Sequence, residues 1–556
     1  MATEHCDVVV IGSGAGGAPT AMMLAEAGAR VVVLEKGPYY TTRDFTHDEV
    51  AICRRNFFVP HADDDPHMLR KNGAAEAERT REGHTSQCVG GATVHMSGFT
   101  YRLHDSDFRL ASLLGGGLQG STVADWPMTL AELWPYYDLA ETLLGVSGIA
   151  GINPFEGPRR PFPLQPLRPH PTALMVDEAA KSLGFHPFPT PRAILSRAYG
   201  TRPPCNYCGL CGEYGCENGS KSSVLASILP RAEASGRCEI RPRAFVTRIT
   251  VDEDGRATGV EYLDSNEELH TLRARVVVLA ASAIESARLL LLSANGLFPA
   301  GLANSSGLVG KNLTFSNFGK ATAIFERKDL IAKLGAEDME LPFLQRSVQD
   351  DYWMTQGGLS LPKGGTYNFL LHHPNPINAG IRLAMDSDWS LSGQPLKDRL
   401  VKYFRDELWV EFEIFGEFLP SDKTYVELDP TVKDRWGLPA ARINVTHHPA
   451  DVQTNTAMVQ RGMQILAAMT PKATSVTPWT WGSTTFHLQH GTCRFGTDPS
   501  RSVLNRFCEA HDVPGLFVTD GSFMPTSGGV PATPTIVANS LRVASHIRDR
   551  MTRREL

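Results

Sequence analysis

The sequence predicts a doubly wound (Rossmann-like) α/β dinucleotide-binding domain joined to a second domain built on a mainly antiparallel sheet. Three observations carry that prediction. The chain opens with an apolar run, Cys6 to Ile11 (CDVVVI), a glycine turn at Gly12, Gly14 and Gly17, a helical stretch from Ala18 to Ala27, and a second apolar run from Arg30 to Leu34 closed by Glu35. A strand-then-helix pattern returns far downstream, in RARVVVLAAS (Arg273 to Ser282) and Ile284 to Leu292. Between about Lys320 and Trp481 the character changes, and runs such as LWVEFEIFGEF (Leu408 to Phe418) alternate with a period of two.

The first unit has the order that a dinucleotide needs. Its glycines permit a tight turn, close approach of the backbone to a pyrophosphate, and packing of the helix on the sheet, while the helix N-terminus offers free N–H groups to the phosphates. Glu35 stands where an acid accepts hydrogen bonds from the adenosine ribose. Pro19 is tolerated because it falls in the first helical turn.

At 556 residues the chain is too long for one core, so interleaved domains are expected. The net charge of -6 argues against a nucleic-acid partner, which would require a basic face. No stretch reaches the length of a membrane span, and the first strand starts so close to Met1 that a signal peptide is not expected, which points to a cytoplasmic protein.

After Glu35 a polar, charged run through about Arg81 reads as loops and short helices without chemistry. In QCVGGATVHMSGFTYR (Gln87 to Arg102), Gly90 and Gly91 suit a backbone pressed against a flat cofactor. Thr129 and Glu132 form a capping box for a helix whose apolar face is Leu130, Leu133, Tyr137, Ala140 and Leu144. A proline-rich connection, Asn153 to Pro191, holds one short helix from about Thr172 to Leu183.

Of ten cysteines, four cluster as Cys205, Cys208, Cys211 and Cys216, with Gly209, Gly212 and Gly215 between them. Such clustering favours a metal or redox site over a disulfide framework. The spacing is near that of ferredoxin-type ligation, although Glu217 stands where proline is usual. An iron-sulfur cluster, metal-free thiols or disulfides, and zinc all remain open.

Strands follow in AFVTRITVD, TGVEYLD and RARVVVLAAS, then TYVELD (Thr424 to Asp429) and ARINVT (Ala441 to Thr446) are read into the antiparallel sheet, one face of which turns toward a pocket. The C-terminal part carries FHLQHGTCRFG (Phe486 to Gly496), LFVTDGS (Leu516 to Ser522) and TSGGVPATPTIVANSLR, which opens into a final helix.

Taken together, these segments resemble the glucose-methanol-choline (GMC) family of flavin oxidoreductases. The likeness is carried by DVVVIGSGAGG with Glu35, VGGATVH, WPMTLAELWPYYDLAE, VVVLAASAIESARLLLLS, HGTCRFGTDPSRSV and DGSFMPTSGG, and it spans nearly the whole chain. It implies FAD as cofactor, with contacts at Gly12, Ser13, Gly14, Ala15, Gly17, Glu35, Gly91, His95, Val246, Ala281, Asp520 and Gly521. The expected division is an FAD-binding domain from 1–110, 225–320 and 485–556, a substrate domain from 111–200 and 321–484, and a Cys-rich insert at 201–224.

Family members oxidise a CH–OH group, with hydride passing to flavin N5 and a histidine taking the hydroxyl proton. The Cys-rich stretch looks like that of bacterial enzymes acting on sugars, polyols or sugar-containing natural products, some of which carry a three-iron cluster; a separate electron-acceptor subunit or cytochrome is a partner the resemblance allows. His95 falls where some relatives bond FAD covalently. Two departures stand out. The family's His-x-x-Gly-Thr would place the base at Leu488, flanked here by His487 and His490, and a one-residue bulge would restore His487 as base with His490 beside it. The usual second catalytic position, His or Asn, is Pro531. Other readings are a nicotinamide dehydrogenase, which leaves the later segments unexplained, an electron-relay flavoprotein without its own alcohol substrate, and a flavin lyase on the same scaffold.

Overall fold

The computed structural model describes residues 4–54, 57–74, 76–354, 358–373, 375–385, 390–479 and 484–556. The strand Glu4–Ile11 pairs in parallel with Val31–Leu34 on one side and Leu269–Leu279 on the other, so that Val8 lies opposite both Val31 and Val276. Cys238–Arg241 and Leu516–Val518 extend this sheet in parallel, and the hairpin Phe245–Val251 and Ala257–Leu263 closes one side antiparallel. Its central valines, Val8 to Val10, Val31 to Val33 and Val276 to Val278, are fully buried. Burial on both faces is why these strands read as unbroken apolar runs. The helices Gly17–Glu26, Ala283–Leu292 and Thr533–Thr552 share their core.

A second sheet is antiparallel throughout. Its long strand, Lys311–Glu326, pairs with Glu407–Gly416 along one edge and with Ser475–Pro478 and Thr484–Thr492 along the other, and Gly365–Leu371 follows Glu407–Gly416. Leu408, Val410, Phe412 and Ile414 bury one face of it together with Met458, Ile465 and Leu466 of the helix Pro449–Ala468. Each such side chain contributes about 1.5–3 kcal/mol on burial. A one-residue slip would drive Glu411 and Glu413 into that core, so the alternation fixes the register. Trp409, Glu411, Glu413 and Phe415 are therefore left on the opposite face.

The capping box forms as read. Thr129 accepts from the Glu132 N–H and the Glu132 carboxylate accepts from the Thr129 N–H, starting the helix Leu130–Leu144. Tyr137 from its buried face reaches Thr535 of the C-terminal helix at 2.6 Å. The short helix after the proline-rich connection is Ala173–Ser182. Residues 201–223 hold only isolated bridges.

Three expectations are corrected. The run up to Arg81, read as loops and short helices, contains the strands His67–Lys71 and Glu78–Thr80. Tyr425–Lys433 and Pro439–Val445, read into the antiparallel substrate sheet, instead join those two strands in a separate four-stranded sheet, where Pro439–Val445 runs parallel to His67–Lys71. Alternation identifies a strand and its buried face, but it carries no information about a partner several hundred residues away. The limit placed at 320 falls inside Lys311–Glu326, and Thr484–Thr492 pairs with that strand, so the C-terminal segment starts in the antiparallel sheet.

Candidate active site

One cavity of about 820 Å³ lies between the two large sheets. At one end are the residues just beyond the C-terminal ends of the parallel strands, Gly12 and Ala280, the position where open α/β sheets bind ligands; at the other are Phe318, Glu413 and Phe415 from the antiparallel sheet.

The sequence-predicted nucleotide residues converge on this cavity. Gly12, Ser13, Gly14, Ala15, Glu35, Gly91, His95, Val246, Ala281, Asp520 and Gly521 all line it. Gly17 does not line the cavity. A Cβ there would fall 2.0 Å from the Gly12 carbonyl oxygen, so its contribution is to let the helix approach the turn. Gly91, at φ +56°, faces Gly14 so closely that a Cβ would sit 3.0 Å from the Gly14 Cα. These two bare backbones leave a slot that a side chain would fill.

Glu35 is buried and accepts from the Ser13 N–H at 3.1 Å, the Ser13 hydroxyl at 2.6 Å and the Gly37 N–H at 3.0 Å. Burial pushes its carboxyl above the ordinary range, against those donors. A carboxylate has about four lone-pair sites, so capacity is left for a ribose hydroxyl. Asp520 is spent on structure: it accepts from Ser282 N–H, Ser286, Ser522 N–H and the Ser522 hydroxyl, which leaves its backbone and Gly521 at the cavity wall. The donor set, the bare glycine slot and the acid at the second strand fit FAD.

Sequence reasoning missed a charged cluster at this end. Lys36 pairs with Asp65 at 2.6 Å, Arg288 with Asp434 at 2.6 Å and Glu285 at 3.2 Å, and His67 with Glu285 at 2.9 Å. Burial opposes charge on Glu285, yet Arg288, His67 and Lys36 hold its carboxyl well below the ordinary range. His84 stacks on His67 with ring centres 3.7 Å apart, and burial pushes it down to about 3. Lys36, His84, Glu285 and Arg288 all line the cavity. Their polar, scattered positions carried no local signal.

The cavity wall also holds His95, Leu488, His490 and Pro531. His95 stacks on Phe58 with centres 5.4 Å apart, and its carbonyl accepts from the Glu213 N–H of the Cys-rich segment at 2.9 Å. His490 lies opposite Thr314 in the strand pairing and is 1 % exposed; its Nδ1 is enclosed without a hydrogen-bond partner among the described residues. Burial pushes the ring down to about 3, so it is neutral through the physiological range. A Cβ on Gly521 would sit 3.6 Å from this ring. Between the two histidines, the Gln489 amide donates to the Gly83 carbonyl at 2.7 Å and its oxygen accepts from the Ile284 N–H at 3.1 Å. His487 belongs to the strand Thr484–Thr492, but its side chain lies outside the described residues.

Pro531 arrives on a loop anchored by buried charge. Glu417 accepts from the Ser527 N–H at 2.9 Å, the Ser527 hydroxyl at 3.0 Å and the Gly528 N–H at 3.1 Å. Lys363, fully buried, pairs with Asp107 at 2.9 Å, and Tyr352 donates to Asp107 at 2.6 Å while accepting from the Gly529 N–H.

The four clustered cysteines are free thiols, as are all ten. No three of them bring their sulfurs within 4.8 Å of one another; among the described residues only Asp264, Glu268 and His270 meet that test. A tetrahedral zinc, with bonds of about 2.3 Å, requires closer sulfurs, so zinc does not fit. The Tyr207 and Lys221 N–H groups donate to the Cys205 and Cys216 sulfurs at 3.3 and 3.4 Å, and Lys221 donates to the Cys211 and Tyr214 carbonyls at 2.6 Å each. Gly212 and Glu213 of the same segment reach the cavity.

Comparison with known proteins accounts for the arrangement. Residues 121–316 and 420–540 match the GMC oxidoreductase family, and residues 7–44 match an FAD binding domain. The chain is 31% identical to 2-methyl-1,2-propanediol dehydrogenase of Mycolicibacterium austroafricanum, over 99% of this chain and 96% of that protein. It is 32% identical to paromamine 6'-oxidase of Streptomyces fradiae, over 97% and 91%. Formate oxidase of Aspergillus oryzae RIB40 superposes with a TM-score of 0.66 at 14% identity, over 99% of both chains, which is a likeness of fold. With those matches over a cavity shaped for the dinucleotide, the chain belongs to the GMC oxidoreductase family of FAD-dependent enzymes.

Proposed function

We propose that this enzyme oxidises a CH–OH group of a sugar, polyol or glycoside-type substrate, and that His490 is the group that receives the hydroxyl proton. The observation that carries the reading is the neutral, buried His490 ring on the cavity wall beside Gly521 and Pro531. FAD, which Gly12, Ser13, Gly14, Gly91 and Glu35 would hold in the cavity, would supply the two-electron acceptor for the carbon-bound hydrogen. His490 would take the hydroxyl proton at Nε2, because Nδ1 is enclosed. Loss of both leaves a carbonyl, and the balance closes without a further reactant. Pro531 has no side-chain donor or acceptor, so a single histidine has to do the work that relatives divide between two residues. His487 stays in the proposal as its neighbour. Relatives named for a propanediol and for paromamine support polyols and amino sugars as the substrate class.

The test is anaerobic bleaching of the flavin across simple alcohols, polyols, monosaccharides, glycosides and amino sugars. At least one hydroxylated compound is expected to bleach the bound FAD stoichiometrically. Failure of every compound would overturn the alcohol oxidation and favour an electron-relay role.

Two further expectations belong to this reading. If Cys205, Cys208, Cys211 and Cys216 ligate an iron-sulfur cluster that passes electrons to an acceptor subunit or cytochrome, iron and sulfide should co-purify after anaerobic preparation; iron-free protein with full FAD would return them to plain thiols. If His95 holds FAD covalently, acid precipitation should give a yellow pellet. A white pellet beneath a yellow supernatant means the cofactor is held by contacts alone.

A further inference from the structure

The face of the antiparallel sheet turned to the cavity can be read from its register. His490 lies across from Thr314, Phe415 from Phe318, and Glu413 from Lys320. Thr314, Phe318 and Lys320 are even-numbered residues of one strand, so their side chains share a face. The positions opposite His490 and Glu413 are six residues apart on that strand. At the rise of an extended strand this is about 20 Å.

Between them lie rings. Phe318 and Phe415 line the cavity, and Phe99 packs 6.1 Å from Phe415. Beyond the rings is the carboxyl of Glu413. Glu413 makes no hydrogen bond to a described residue and its side chain is 21% exposed, into the cavity. Its nearest cation, Lys320, is committed to Glu411 at 2.7 Å and stands 4.0 Å from Glu413. Arg192 donates to the Ser97 carbonyl and lies between Phe99 and Phe343. Burial favours the neutral carboxyl and Lys320 opposes it. An acceptor pair left open at the end of an aromatic floor is the chemistry that holds a sugar ring by its hydroxyls.

Resting on the proposed oxidation at His490, we propose that Glu413 is the far subsite of an extended substrate: it receives hydrogen-bond donors on a second or later ring of a glycoside, whose first ring presents the reacting hydroxyl to His490. The separation along the strand is more than one six-membered ring bridges, even with both side chains reaching inward. Two donor types suit a carboxylate, a pair of hydroxyls or an ammonium, and the experiment separates them.

The enzyme loaded with FAD is assayed for flavin reduction with a monosaccharide and with its one-ring and two-ring extended glycosides, each with and without an amino group on the added ring. In the parent, kcat/KM should rise at least tenfold on adding a ring. Glu413→Ala should erase that gain through a raised KM, by about ten- to a hundredfold, and leave the monosaccharide rate unchanged. If only the aminated glycosides show the gain, the ligand is an ammonium; if both series show it, hydroxyls suffice. Glu413→Gln, which keeps one acceptor but no charge, should retain part of the gain for hydroxyls and lose it for the ammonium. An equal dependence on ring number in parent and Glu413→Ala would overturn the subsite while leaving alcohol oxidation standing. Bleaching by none of the compounds would overturn both.

Discussion

Replacing His490 with Ala should lower the rate of flavin reduction by about a hundred- to ten-thousandfold with FAD still bound. A CH–OH group does not release hydride readily while its proton stays on oxygen, so an acceptor has to stand within reach of the hydroxyl. His490 is a neutral base on the cavity wall: burial has removed its charge, and Pro531 offers nothing. Because the ring is neutral above about pH 3, its titration should leave no inflection in the rate between pH 5 and 8. Stopped-flow reduction of the variant, with the FAD absorbance per chain measured beside it, checks both points. His487→Ala is the companion variant. If the two variants lose activity comparably and non-additively they act as a unit. If both reduce the flavin at the parent rate, the base is neither.

The second large effect is on stability. Asp107→Ala would leave the Lys363 ammonium buried without its 2.9 Å partner, and should cost about 3–5 kcal/mol. A urea midpoint unchanged from the parent would show that the pair contributes nothing. Glu417 makes the same anchor depend on pH. Burial raises its carboxyl to about 7, against Lys363 and the Ser527 donors. Asp107, Asp451 and Tyr352 are the other titratable groups that face it. A carboxyl with a folded value above its unfolded one, near 4.3, contributes stability that is fully present below about pH 4.3 and lost as pH rises through 7. Glu417→Gln is neutral throughout. Its melting temperature should therefore gain on the parent between pH 5 and pH 8, and a constant difference would refute the titration.

The nucleotide end was legible in the sequence because its signals are local. The valine runs, the glycine spacing and Glu35 all sit within about thirty residues; the structure buries the valines in the sheet and brings Gly12, Gly14 and Glu35 to the cavity wall. The capping box of Leu130–Leu144 was local too. What was missed is long-range. Asp65 and Asp434 lie more than a hundred residues from Glu285 and Arg288, and only folding shows that these charges pair in the interior. Asp107, Lys363 and Glu417 were invisible for the same reason. At the histidines, the motif gave two candidates and the strand brings one of them to the cavity within the described side chains.

The pairing of Glu4–Ile11 with Leu269–Leu279, and of that strand with Leu516–Val518, has a consequence for biosynthesis. The first strand leaves the ribosome early and waits for a neighbour made some 260 residues later, while the flavin wall is completed only by Gly521 and Pro531. At about 5–20 residues per second, the nascent chain spends tens of seconds or more with its valine strand edge uncovered. FAD has no finished site to enter until translation is nearly over, so loading has to be a late event. A chain stopped before residue 516 should emerge colourless and prone to aggregate, however much FAD the cell supplies.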